Sequence, residues 1–207
     1  MPDDQARWPE AAQIILRTAL SFTMPSSKVQ DEVTLSVIGD LLRRYGHGLF
    51  EPFNTLEVVY RSKSLDKLLY PEHYDDGQVI EEVKIVRDHM VPIAELAIFV
   101  LDNVRANPGR YLVTPKGIEA LGSLIKPFLR IAEILETEDD TLTTWGFRER
   151  MPNDLWKSGC DSIGTRYAHT WIEMVQIGTG RNFSARRYTA QRGPGAKEIW
   201  VLRREQR

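Results

Sequence analysis

From Ile14 to Leu135 the apolar residues recur mostly at three- and four-residue intervals, the spacing that lines one face of an α-helix. Ile14, Ile15, Leu16, Ala19, Leu20 and Phe22 form the first such face, with Pro9 at a first-turn position and a stop near Met24-Pro25. Ser27 followed by Gln30 is a capping-box pattern, and the periodicity from Val29 to Leu42 predicts a second helix ending at Gly46, with Arg43 and Arg44 near its negative end. Asn54 then caps Leu56 to Tyr60, and Ser64 caps Leu65 to Leu69 ahead of Pro71, although Val58-Val59-Tyr60 would also suit a strand. Asp75 and Asp76 precede the longest periodic segment, Val79 to Val104, which Pro92 should kink and Asn107-Pro108-Gly109 ends. Thr114 with Pro115 opens another helix, apolar from Ile118 through Leu135.

The pattern changes after Leu135. Glu136, Glu138, Asp139 and Asp140 form a like-charge run that is costly to bury, which marks a domain boundary. Beyond it Asn153 caps a short helix carrying Leu155 and Trp156, and Ser158-Gly159-Cys160 makes a turn. Asp161 or Ser162 then caps a longer helix with Ile163, Tyr167, Trp171, Met174 and Val175 on its apolar side, closing at Gly178. Tyr188-Thr189-Ala190, a turn around Gly193-Pro194-Gly195, and Ile199-Trp200-Val201-Leu202 read as strand, turn, strand. The expected fold is mainly α: a helical bundle over residues 8–137, then a small α+β module over residues 140–204 that ends in a β-hairpin.

Charge gives that hairpin a direction. The chain sums to -2. Its last 27 residues nevertheless carry eight basic side chains (Arg181, Arg186, Arg187, Arg192, Lys197, Arg203, Arg204 and Arg207) against Glu198 and Glu205, so residues 1–180 sum to about -8. A basic end on an acidic body points to a polyanionic partner. Four consecutive large apolar residues, Ile199 to Leu202, argue that this end folds and is not simply solvated.

A helix, a tight turn, a longer helix and a two-stranded hairpin, in that order, resembles winged-helix DNA-binding domains over roughly Asp140 to Arg204. The resemblance is to the class, with no particular family singled out. It implies that the second helix enters the major groove, with Arg166 and Thr170 reading bases, and that Arg181, Arg186, Arg187, Arg192 and Lys197 meet phosphates. The implied partner is nucleic acid, duplex DNA first, with the helical body serving oligomerisation or a protein partner. A hairpin that binds an acidic protein, in an assembly factor, and a purely structural hairpin are the competing expectations. Arg110 to Gly117 also looks like the exit from a wing, but the segment upstream, Ile93 to Val104, is too apolar to face DNA, and Thr114-Pro115 is sufficiently explained as a helix start.

Catalytic and metal chemistry find little footing. Glu81, Asp88, Glu95 and Asp102 recur every seven residues along one expected helix and are read as a solvated face, with Glu95 set apart because its apolar neighbours predict burial. His47, His73, His89 and His169 have no ligand spacing with one another or with Cys160, and no nucleophile signature or phosphate-cradling loop is present. The expectation is therefore a protein that is not an enzyme and holds no cofactor or metal. Trp156, Trp171 and Trp200 are expected in the core, with stacking on single-stranded bases as their alternative role. A lone cysteine, no apolar run near the roughly 20 residues that span a bilayer, and no secretory pattern at the start predict a cytoplasmic location, or a nuclear one in a eukaryote.

Overall fold

The computed structural model describes residues 4–21, 28–46, 58–76, 82–158, 163–177, 188–192 and 199–204. Its helices are α1 (Asp4–Ser21), α2 (Lys28–Tyr45), α3 (Lys63–Leu69), α4 (Ile93–Ala106), α5 (Pro115–Ile125), α6 (Glu136–Thr144) and α7 (Thr165–His169). Its strands are β1 (Val58–Ser62), β2 (Glu82–His89), β3 (Ile131–Leu135), β4 (Met174–Gln176), β5 (Tyr188–Arg192) and β6 (Ile199–Arg204). The chain is mainly helical, as its periodicity predicts, and it closes on the expected pair of C-terminal strands. Among the described residues no helix is long and apolar enough to cross a membrane.

Two compact units divide the chain, each made of separated segments. The first joins Met1–Leu56 to Val91–Leu129 and contains α1, α2, α4 and α5. Its core includes Ile15, Leu16, Ile38, Leu42, Leu96 and Val100, all fully buried. Asp31 on α2 accepts a 2.7 Å bond from Arg105 on α4, and Phe99 meets Phe128 edge-on. The Thr114 side chain accepts from the Gly117 amide, so α5 starts where its cap and proline predict. α1 begins at Asp4, which leaves Pro9 inside the helix, beyond its first turn.

The second unit is Glu57–Met90 with Arg130–Arg207, so the acidic run near residues 136–140 is not a boundary. Those acids open α6, where Glu136, Glu138 and Asp139 complement the positive end of the helix. The Glu138 carboxylate accepts the Leu135 amide at 2.9 Å. The unit holds together because β2 lies between β3 and β6 in a six-stranded sheet ordered β4-β1-β3-β2-β6-β5. β1 runs parallel to β3, and every other neighbouring pair is antiparallel. The C-terminal strands thus extend a sheet begun far upstream.

Three segments expected as helix are strand, and each has a physical reason. Val79 to Val104 divides into β2 and α4, because exposed Glu82 and Lys84 alternate with buried Val83 and Ile85, a period of two, and Pro92 caps α4 where it was expected to kink a longer helix. Ile131 to Leu135 forms β3, four of its five residues buried, after α5 has stopped at Ile125. The long helix expected up to Val175 is reduced to the five residues of α7, followed by β4. Val58 to Ser62 takes its strand alternative, and α3 is capped by Ser62, whose hydroxyl accepts from Leu65, and not by Ser64.

Candidate nucleic-acid interface

Neighbouring residues of a strand face opposite sides of its sheet, and on β2 both sides carry charge. Arg87 is in register with Glu133 on β3, and Glu133 is in register with Arg61 on β1, which sets an Arg-Glu-Arg row across three strands. Arg61 donates to Glu133 at 3.1 Å and to Asp66 at 3.0 Å, Arg87 donates to the other Glu133 oxygen at 3.3 Å, and the Tyr74 hydroxyl donates to Asp66 at 2.8 Å. This row shares its face with Ile85 and Leu135, which pack with Val83 against Leu65 and Leu69 of α3. Burial pushes the Glu133 carboxyl up to about 7, against the pull of Arg61 and Arg87. Arg61 and Glu133 are fully buried and Arg87 half-buried, so the row is an internal brace.

The opposite face of β2 presents Asp88 to α7. Arg166, fully buried, donates to the Asp88 carboxylate, to the His89 carbonyl, and to the carbonyls of Phe147 (2.8 Å) and Arg148 (3.3 Å). The Tyr167 hydroxyl donates to the same Asp88 oxygen at 2.7 Å. Burial alone would lower the Arg166 guanidinium, but Tyr167 and Asp88 outweigh it and hold the group charged. Burial, reinforced by Asp88 against the pull of Arg166, raises the Tyr167 hydroxyl well above its ordinary range, which keeps it a donor at neutral pH. One guanidinium thus ties the end of β2 and the loop after α6 to α7.

Arg166 and Thr170 therefore do not read bases from where they stand. Arg166 has no exposed surface, and Thr170, 5% exposed, turns its hydroxyl back to the carbonyls of Arg166 and Tyr167. The amphipathic pattern predicts both on the solvent side of a long helix; in the five-residue α7 the exposed positions are Ala168 and His169, and Arg166 faces β2. Of the expected phosphate contacts, Arg192 ends β5 in register with Trp200 of β6. Arg181, Arg186, Arg187 and Lys197 lie outside the described residues, as do Cys160 and His47. Among the described residues no cluster of His, Cys, Asp or Glu could hold a metal ion. Glu95 is half-buried on α4, and Asp88, expected beside it on one helix, belongs to β2.

What the structure brings together instead is the pair of helix ends that Arg166 ties. After α6, the Gly146 amide bonds to Thr143 and the Phe147 amide to Leu142; after α7, the Trp171 amide bonds to Ala168 and the Ile172 amide to Tyr167. Both are the same capping motif, in which the residue just past the cap takes a left-handed backbone. Gly146 does so at φ 75°, where glycine is free of strain, and Trp171 does so at φ 61°, where a side chain costs about 1 kcal/mol. Trp171 is nevertheless 88% exposed, and Trp145, capping α6, is 56% exposed. Phe147 meets His169 edge-on at 5.9 Å, which sets the two loops side by side, and Arg148 and Arg150 are exposed on the first of them. Trp156, by contrast, is fully buried, as expected. Trp171, expected in the core, is not there: it falls on the apolar stripe of a helix that ends two residues before it, so the stripe no longer points it inward. Gly146 six residues after Asp140 is the sign of a capped end at α6, and no glycine marks the end of α7.

Comparison with protein-family models, with characterised proteins and with solved structures finds no match for this chain.

Proposed function

We propose that the chain binds nucleic acid through its C-terminal strand pair and acts as a regulatory or replication or partition accessory protein, not as an enzyme. What carries the reading is the concentration of eight basic residues in the last 27, on a segment whose β6 pairs along β2 inside a six-stranded sheet. Three of the eight, Arg192, Arg203 and Arg204, stand on β5 and β6; charges fixed on a sheet keep their register when they meet a polyanion, so their contacts are not lost to chain entropy. Sequence reading by α7 has no part in this function, since Arg166 and Thr170 are engaged within the fold.

Fluorescence anisotropy with labelled duplex DNA, single-stranded DNA and RNA tests it. If six or more of these charges meet phosphates, affinity falls about 10³- to 10⁵-fold between roughly 50 and 200 mM salt. Replacing Arg186, Arg187 and Arg192 together with alanine should remove most of that binding and flatten its salt dependence. Binding that ignores salt, or survives the triple replacement, removes the strand pair from the function and leaves the acidic-protein partner as the reading to pursue.

A further inference from the structure

We propose that the paired ends of α6 and α7 form a surface for single-stranded nucleic acid, on which unstacked bases lie against Trp171 and Trp145 while Arg148 and Arg150 meet the flanking phosphates. This rests on the nucleic-acid reading above and narrows its substrate class. Trp171 occupies a left-handed position that glycine fills at the sister helix end, and it is almost wholly exposed. An indole held in a strained backbone without burying surface makes no packing contact that offsets the strain among the described residues. Nor is it a stray of a flexible loop, for the Ala168 and Tyr167 carbonyls hold the turn, and buried Arg166 fastens the neighbouring loop through Phe147 and Arg148.

The surroundings select the occupant. Among the described residues the exposed chain neighbours of the two indoles are Thr143, Thr144, Gly146, Ala168 and His169, none a large apolar side chain, which disfavours the continuous apolar centre that a protein partner would bury. Isolated aromatic faces beside arginines are suited to bases, every one of which offers a planar face. A duplex keeps those faces stacked inside and offers only edges and phosphates. Of the nearby acids, Glu173 is held by Lys63 at 2.5 Å, and Glu149 lies between Arg148 and Arg150. Asp140 is exposed one turn before Thr144, and residues 145–150 carry two arginines against one glutamate, a net charge of +1.

The test titrates the full chain with a fluorescein-labelled thymidine dodecamer and with a duplex of the same length, while thermal melts follow the fold. Trp171→Gly should melt about 2 to 4 °C higher, because glycine relieves the backbone. It should bind the single strand about tenfold more weakly, the loss of one stacked base, with duplex affinity unchanged. Trp171→Phe should recover much of the single-strand affinity, and Trp145→Ala should weaken it in the same direction. Wild-type single-strand affinity in Trp171→Gly and Trp145→Ala, with the triple arginine variant still losing binding, overturns this surface and leaves the strand-pair reading standing. If the wild type binds neither oligonucleotide, both proposals fall. A wild type that self-associates through Trp171 without binding an oligonucleotide overturns this one in favour of a second copy of the chain.

Discussion

α6 and α7 end in the same pattern of hydrogen bonds, yet one places glycine and the other tryptophan at the left-handed position. At α6 the residue is the one that backbone physics selects, and the exposed indole is displaced to the cap. At α7 backbone and side chain are in conflict, and the side chain faces water. The fold accounts for Gly146 without reference to anything outside the molecule. It does not account for Trp171 on those terms, which makes the α7 end the place to look for an external contact.

The largest expected effect comes from removing what joins the two ends. Arg166→Ala leaves the Asp88 carboxylate without its cationic partner, the Tyr167 hydroxyl still donating to it, and leaves three carbonyls, those of His89, Phe147 and Arg148, without this donor. Deleting one member of a buried charge pair typically costs about 3 to 5 kcal/mol, and urea denaturation should show a loss of that size. Arg166→Lys should recover little, since an ammonium cannot fork between loop carbonyls and a carboxylate. A loss below about 1 kcal/mol would mean that the ends are held independently, and that the comparison between them is accidental.

The row on the other face of the sheet supplies a control of slightly smaller size. Glu133 binds its proton more tightly folded, at about 7, than at its ordinary 4.5. The folded state therefore holds more protons between those values, and stability contributed by Glu133 is full below pH 4.5 and falls as pH rises toward 7, by about 3 kcal/mol in all. Glu133→Gln should flatten that part of the pH profile while leaving oligonucleotide binding at the α6 and α7 ends unchanged. Denaturation midpoints from pH 4 to 8 measure the first, and anisotropy at fixed pH the second.

How much of this was legible beforehand follows from the range of the forces involved. Caps and strand propensities are local, so Thr114-Pro115 located the start of α5, and the two C-terminal strands stand where they were expected, the turn residues Gly193-Pro194-Gly195 between them lying outside the described residues. Strand partners are not local. β2 finds β6 more than a hundred residues away, and nothing near Val83 or Ile85 announces that pairing, so an apolar run with Pro92 beyond it passed for one kinked helix. The Arg61, Glu133 and Arg87 row depends on the register of three strands, and no spacing along the chain encodes it. Arg166 failed as a candidate for a related reason: basic side chains are usually exposed, and the Asp88 carboxylate from β2 together with three backbone carbonyls makes its burial tolerable.

A swap at the left-handed positions separates backbone from side chain. Gly146→Ala should lose about 1 kcal/mol and Trp171→Gly should gain about as much, opposite signs at equivalent sites. Equal signs would show that the two ends are not equivalent. Thermal melts of the two variants side by side are sufficient.

The smallest expected effect is the most discriminating. Trp171→Ala keeps a Cβ, and with it the left-handed strain, but removes the indole. If the ring lies free in water, as its exposure indicates, stability should change by less than about 0.5 kcal/mol, because the cap is made by backbone groups that alanine keeps and truncating an exposed side chain is nearly neutral. The gain from Trp171→Gly then belongs to the backbone alone, and any loss of single-strand binding in both variants belongs to the ring. A loss of more than about 1 kcal/mol in Trp171→Ala would place the indole against its own fold, and the conflict at the end of α7 would then be resolved within the chain, with no ligand needed to explain it.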